Sequence, residues 1–96
     1  MEIHSSFNGM NLTLTLKGHI TGITEVTEIK NIVTSHQDFQ LLELIITDAF
    51  VIPSALIGYL VKVTNVDQKK ITIQASQNEL KTLLSELNLD KMFTVR

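Results

Sequence analysis

The hydrophobic pattern of this chain predicts an α/β fold, a single domain with a mixed sheet of about four to five strands, an N-terminal antiparallel hairpin and about three to four helices covering it. Three observations carry that expectation. Apolar and polar residues alternate with period two on both sides of Asn8-Gly9. The apolar run Leu41 to Ile46 and the alternating Ile71 to Ala75 read as further strands. Between and after them lie segments whose apolar positions recur at helical spacing. Strands that alternate with helices favour parallel pairing through right-handed crossovers, so the hairpin supplies the antiparallel part of a mixed sheet.

Each element follows from its residues. Ile3, Ser5 and Phe7 alternate with Glu2, His4 and Ser6, while Met10, Leu12, Leu14 and Leu16 alternate with Asn11, Thr13, Thr15 and Lys17. Asn8-Gly9 between them is a turn pair suited to positive φ, so these stretches predict a hairpin with one buried face. Gly18 ends the hairpin. Val26, Ile29, Ile32 and Val33 then fall on one helical face with Glu25, Glu28 and Lys30 outside, which predicts a helix over roughly 25–35. Leu41 to Ile46, closed by Thr47-Asp48, reads as the buried central strand. In the next segment Leu56, Ile57, Leu60, Val61 and Val63 repeat at helical spacing after Ser54, which reads as the N-cap. Asp67-Gln68-Lys69-Lys70 is a polar turn into the strand Ile71 to Ala75. Ser76 and Glu79 have capping-box spacing ahead of the stripe Leu80, Leu83, Leu84 and Leu87, and Met92 to Val95 reads as a short final strand.

Composition narrows the function. A length of 96 residues accommodates one domain, spanning 1–96, and is enough to bury roughly two thirds of the surface of the unfolded chain. The net charge of −2 gives no field that would gather nucleic acid or anionic lipid, so neither is an expected partner. No apolar run approaches a membrane span, and Met1-Glu2-Ile3-His4 lacks the start of a signal peptide, so a cytoplasmic protein without membrane insertion is expected. With no cysteine in the chain, disulfides and thiol chemistry are excluded. His4, His19 and His36 are scattered without metal-ligand spacing, no Ser, His and Asp set reads as a triad, and the four glycines form no phosphate-binding loop. Neither catalysis nor a metal or other cofactor is therefore expected.

What remains is one hydroxyl at the mouth of a helix. Ser54 sits where a strand–turn–helix sequence places orphan backbone N–H groups and partial positive charge, a place that favours a phosphate. The residues around it, Ile52-Pro53-Ser54-Ala55-Leu56, resemble the Asp-Ser-Ser-Gly-Leu motif of the STAS domains, the family of bacterial anti-sigma factor antagonists and their relatives. The similarity extends along most of the chain. Leu12 to Gly18 followed by His19-Ile20-Thr21 resembles the family's second strand and its ending, and Lys70 to Ala75 resembles the strand after its central helix. The tail Asn88-Leu89-Asp90-Lys91-Met92-Phe93-Thr94-Val95 resembles the family's closing Gly-Leu-Asp-x-x-Phe-x-Ile.

The resemblance implies a non-enzymatic regulatory protein-binding domain with Ser54 as phosphoacceptor. Its partner would be an anti-sigma factor that is also a serine kinase, with a separate phosphatase resetting the switch. Asp48, Phe50, Val51, Ile52, Pro53 and Ala55 would form the partner-binding surface around Ser54. The chain departs from the motif at three positions: Ile52 replaces an Asp, Pro53 removes a backbone N–H, and Ala55 replaces a Gly. Asp48 offers a substitute carboxylate a few residues away, and its other reading is a solvated strand-end residue. Two alternatives accompany this expectation. One is a STAS-type accessory subunit of an ABC transporter for lipids or solutes, and the other is a constitutive scaffold, with a homodimer left open.

Overall fold

The computed structural model describes residues 2–36 and 38–96. In chain order the elements are β1 (Glu2–Phe7), β2 (Asn11–Lys17), α1 (Ile23–Ser35), β3 (Leu41–Ile46), α2 (Ser54–Asn65), β4 (Lys70–Ala75), α3 (Asn78–Glu86), a single 3-10 turn (Leu89–Lys91) and β5 (Thr94–Val95). The strands lie in the spatial order β1-β2-β3-β4-β5, β1 antiparallel to β2 and every later neighbour parallel. This is the mixed α/β sheet with an opening hairpin that the alternating patterns predict, with five strands and three α-helices among the described residues.

Sequential parallel order has a geometric consequence. Each crossover from β2 to β5 moves one strand in the same direction, and right-handed connections then place every helix on the same side of the sheet. The side chains report this: Leu12, Leu14, Leu16, Leu42, Leu44, Ile46, Ile71, Ile73 and Ala75 are buried under the helices. The alternate residues Thr13, Thr15, Leu41, Glu43, Ile45 and Gln74 line the other face and stay wholly or partly exposed. Thr72, in register between Glu43 and Thr94, is the buried exception on that face. The helices complete the core with Val26, Ile29 and Val33 from α1, Leu56, Leu60 and Val63 from α2, and Leu80 and Leu84 from α3.

Local chemistry explains the joints. The hairpin carries its positive φ at Gly9, and Asn8 clamps the turn by donating its N–H to the Asn11 carbonyl (3.2 Å) while its side-chain oxygen accepts the Asn11 N–H (2.9 Å). Asn88 takes the left-handed conformation (φ 59°) that lets the chain leave α3 for the 3-10 turn.

Four sequence expectations shift. Met10 is 62% exposed because β2 begins one residue later, and Met10 instead presents its carbonyl to the N–H groups of Gln40 and Leu41 at the start of β3. Leu87 lies past the last turn of α3 and is 49% exposed. Ser54 is not the N-cap: Pro53 holds that position with extended backbone, and Ser54 is the first helical residue. Ser76 likewise yields its place to Gln77, so no capping box forms with Glu79.

Tyr59, the sole tyrosine, sits on the inner face of α2 with the Lys30 ammonium 5.3 Å from its ring centroid. Burial first, and the Asp67 carboxylate second, push its phenol above the ordinary value of 10.0. Below that value the phenol is protonated in the folded and unfolded chains alike. As pH rises further the unfolded chain ionises first, so stability falls through the folded pKa. Ultraviolet titration of tyrosinate should therefore give a midpoint above 10.0 in the native protein and a return to the ordinary value in denaturant. A native midpoint at or below 10.0 would contradict this packing.

Candidate functional site

Because β2 to β5 run parallel, their carboxyl ends line one edge of the sheet, and the connections at 18–22, 47–53 and 76–77 all emerge there. In open α/β sheets this edge is where ligands are received, since the loops are free of the sheet ladder while the strands hold them in place.

A short polar network ties the three connections together. The Asp48 carboxylate accepts the Gly18 N–H at 2.8 Å and the Thr47 hydroxyl at 3.2 Å. Thr47 donates its N–H to the Leu16 carbonyl (3.2 Å), and the Gln77 side-chain amide reaches the Thr47 carbonyl at 3.5 Å. Gly18 has φ 95°, a conformation open to glycine, and this turns its N–H toward Asp48. The carboxylate is thus engaged within the chain.

The 47–53 connection is anchored by two residues and displays two others. Ala49 is fully buried and Ile52 is only 6% exposed, both part of the apolar core. Phe50 and Val51 between them stand out at 44% and 61% exposure. The Phe50 ring lies 6.0 Å from the His19 ring, centroid to centroid. Beside Phe50 and Val51 the outer side of α3 contributes Asn78, Glu79, Thr82, Leu83 and Glu86 to a shallow, open groove of about 580 Å³.

Ser54 follows at the first position of α2 and is exposed, as is Ala55. The Pro53 carbonyl accepts from both Leu56 N–H (3.0 Å) and Ile57 N–H (3.2 Å). With Pro53 as N-cap no side-chain hydrogen bond caps this helix end, and the first-turn residues Ser54 and Ala55 are exposed there. The end carries the positive pole of the helix and no acidic residue in its first turn.

The structure thus brings Phe50, Val51, Ser54 and Ala55 to one exposed edge with Pro53 half-buried among them. Of the other residues expected at a partner surface, Ile52 points into the core and offers no contact area, and Asp48 holds the Gly18 turn. Sequence reasoning did not find the α3 wall of the groove or His19. Leu83 was visible in the α3 stripe, but only the packing shows that it borders the groove as well as resting against the core.

At the opposite, amino edge a smaller cleft of about 370 Å³ is lined by Val33, Thr34, Phe39, Tyr59, Asp67 and Lys69. His4 is exposed on β1 with its Nε2 3.7 Å from the Glu2 carboxylate, and His36 closes α1 with Nδ1 2.9 Å from the Ile32 carbonyl. Among the described residues no group of three or more His, Cys, Asp and Glu gathers around a point, and no helix is long and apolar enough to cross a membrane.

No protein-family model matches the chain, and no relative is found among curated proteins.

The clamp at Asp48 yields a direct test. Asp48→Ala leaves the Gly18 N–H without its acceptor, and because the bond is exposed the expected loss is modest, about 1 kcal/mol by urea denaturation. Amide exchange at Gly18 should accelerate in the same variant, while unchanged protection there would show that the carboxylate does not hold the turn.

Proposed function

We propose that this domain is a non-enzymatic regulatory module that binds a protein partner with the carboxyl edge of its sheet, and that phosphorylation of Ser54 weakens the binding. The observation that carries this reading is the side-by-side exposure of Phe50 and Val51 next to the uncovered Ser54, over an open groove walled by α3. Two adjacent large apolar side chains held outward by a loop whose neighbours are buried form a contact patch. Complete burial of such a side chain is worth about 1.5–3 kcal/mol, and since Phe50 and Val51 are already partly buried, covering them on a partner contributes roughly half of that each.

Phosphate at Ser54 would add about −1.5 to −2 charge at neutral pH. The positive pole of α2 and its free N–H groups accommodate that charge within the domain, so the modification acts on binding and not on folding. At the interface the same group introduces bulk, hydration and repulsion, and a loss of about 2–3 kcal/mol there weakens binding about a hundredfold. This is the logic of the STAS-type anti-sigma factor antagonists that the Ser54 segment and the closing segment resemble. The partner is then an anti-sigma factor of the serine-kinase type, a phosphatase reverses the modification, and any nucleotide binds to the partner. The complex forms in the cytoplasm.

A second reading is favoured by one observation, the burial of Ile52 where the motif has an acidic residue. Without a carboxylate beside Ser54, the same surface suits permanent attachment to the ATPase subunit of a transporter.

Affinity capture from the native cells, with the partner identified and its binding then measured for each variant, separates these readings. A switched partner is expected to be a serine kinase, to bind Ser54→Asp about a hundredfold more weakly than wild type and to tolerate Ser54→Ala. Phe50→Ala should weaken either kind of partner by about tenfold. Binding that is indifferent to Phe50→Ala would overturn the proposed surface, and an ATPase that is indifferent to Ser54→Asp would replace the switch with the permanent subunit.

A further inference from the structure

The edge of the sheet formed by β1 is the one long backbone edge among the described residues that nothing covers. At the other edge β5 has two residues, and the adjoining Arg96 already bonds back to β4 through its N–H (2.9 Å to the Ile73 carbonyl) and its carbonyl (3.2 Å from the Ala75 N–H). β1 by contrast pairs with β2 through all six of its residues without a bulge, and it contains neither Pro nor Lys, the usual protections of a free edge.

The ladder fixes which backbone groups are free. The Asn8 N–H donates to the Asn11 carbonyl at 3.2 Å, which makes Asn8–Asn11 a hydrogen-bonded pair. Bonded and non-bonded pairs alternate in an antiparallel ladder, so Ser6, His4 and Glu2 bond to β2, and the N–H and C=O groups of Ile3, Ser5 and Phe7 point outward. Those same three residues put their side chains on the helix-covered face, opposite Leu16, Leu14 and Leu12. Ile3 is half-buried against the core, and Phe7 is partly exposed with its ring 5.1 Å from that of His36.

We infer that this edge pairs with the β1 of a second copy of the chain, antiparallel, about a two-fold axis through Ser5. The axis sets Ser5 against Ser5 and Ile3 against Phe7 on each side. All three outward-facing residues then exchange backbone hydrogen bonds, and each apolar side chain meets an apolar partner. An axis through any other residue of β1 leaves at least one of the three outward-facing residues without a partner inside the strand, and one between residues sets outward groups against inward ones. On the open face His4 falls opposite Ser6 and Glu2 opposite Asn8, so no like charges are opposed.

The two five-stranded sheets become one continuous sheet. Since β1 is antiparallel to its own β2 and to its copy, the two carboxyl edges face opposite directions. Each Phe50–Ser54 surface stays clear of the interface. The dimer stands or falls independently of the proposed function and would present two such surfaces at once.

Sedimentation equilibrium of the whole chain is expected to give twice the mass of 10.8 kDa. Ser5→Pro, which removes an outward N–H without touching the β2 ladder, and Phe7→Lys should each return it to the monomer mass with unchanged circular dichroism. The chain has no native cysteine, so Ser5→Cys on mild oxidation should form an intermolecular disulfide and Ser6→Cys should not. A monomer at every concentration, a dimer that survives both Ser5→Pro and Phe7→Lys, or equal cross-linking at positions 5 and 6 would overturn the pairing.

Discussion

The rest of the structure depends on the parallel, strictly sequential pairing of β2, β3, β4 and β5. Right-handed crossovers between such neighbours leave the helices only one face to occupy, and that face must then supply the whole core. Leu14, Leu44 and Ile73 meet in register at its centre, fully buried. The opposite face is consequently free to carry the polar Thr13, Thr15, Glu43 and Gln74 beside the half-buried Leu41 and Ile45, where a sheet covered by helices on both faces would need apolar side chains throughout.

The same pairing gathers the loops. Parallel strands deliver every strand-to-helix connection to one edge, and there the chain divides its side chains between two tasks. Asp48, Thr47 and Gln77 spend their polar groups on one another and on the Gly18 turn, while Ala49 and Ile52 seat the 47–53 segment on the core. Only after those constraints are met do Phe50, Val51 and Ser54 face outward. A rigid mount and an exposed apolar pair are compatible because the buried Ala49 and Ile52 flank the adjacent Phe50 and Val51 in one short loop. The absence of a capping side chain at α2 belongs to the same arrangement: an N-cap serine would have turned its hydroxyl back onto the helix, whereas Pro53 closes the turn through its carbonyl and leaves Ser54 facing out.

Strand identity, helix identity and the core were legible in the sequence because they depend on periodicity, which Leu12, Leu14 and Leu16 or Val26, Ile29 and Val33 state without ambiguity. Periodicity says which face a residue takes while the element lasts, and not where the element ends. That is why Met10 and Leu87, which continue their stripes by spacing, lie beyond the elements and are exposed. Caps are decided by the backbone angles of a single residue, so Ser54 and Ser76 could not be told from their neighbours Pro53 and Gln77 by type alone. At the candidate site, Phe50, Val51 and Ser54 were visible as a cluster along the chain. The engagement of Asp48 with Gly18, thirty residues away, and the wall of the groove from α3 are tertiary facts that no local pattern carries.

The central claim is that Ser54 is a modifiable hydroxyl at a partner-binding edge. Intact-mass spectrometry with peptide mapping of the protein isolated from its own cells, across several growth conditions, tests it most directly. The account predicts a fraction carrying one phosphate, located on Ser54. An unmodified Ser54 under all conditions, or a phosphate found on another residue, would contradict it.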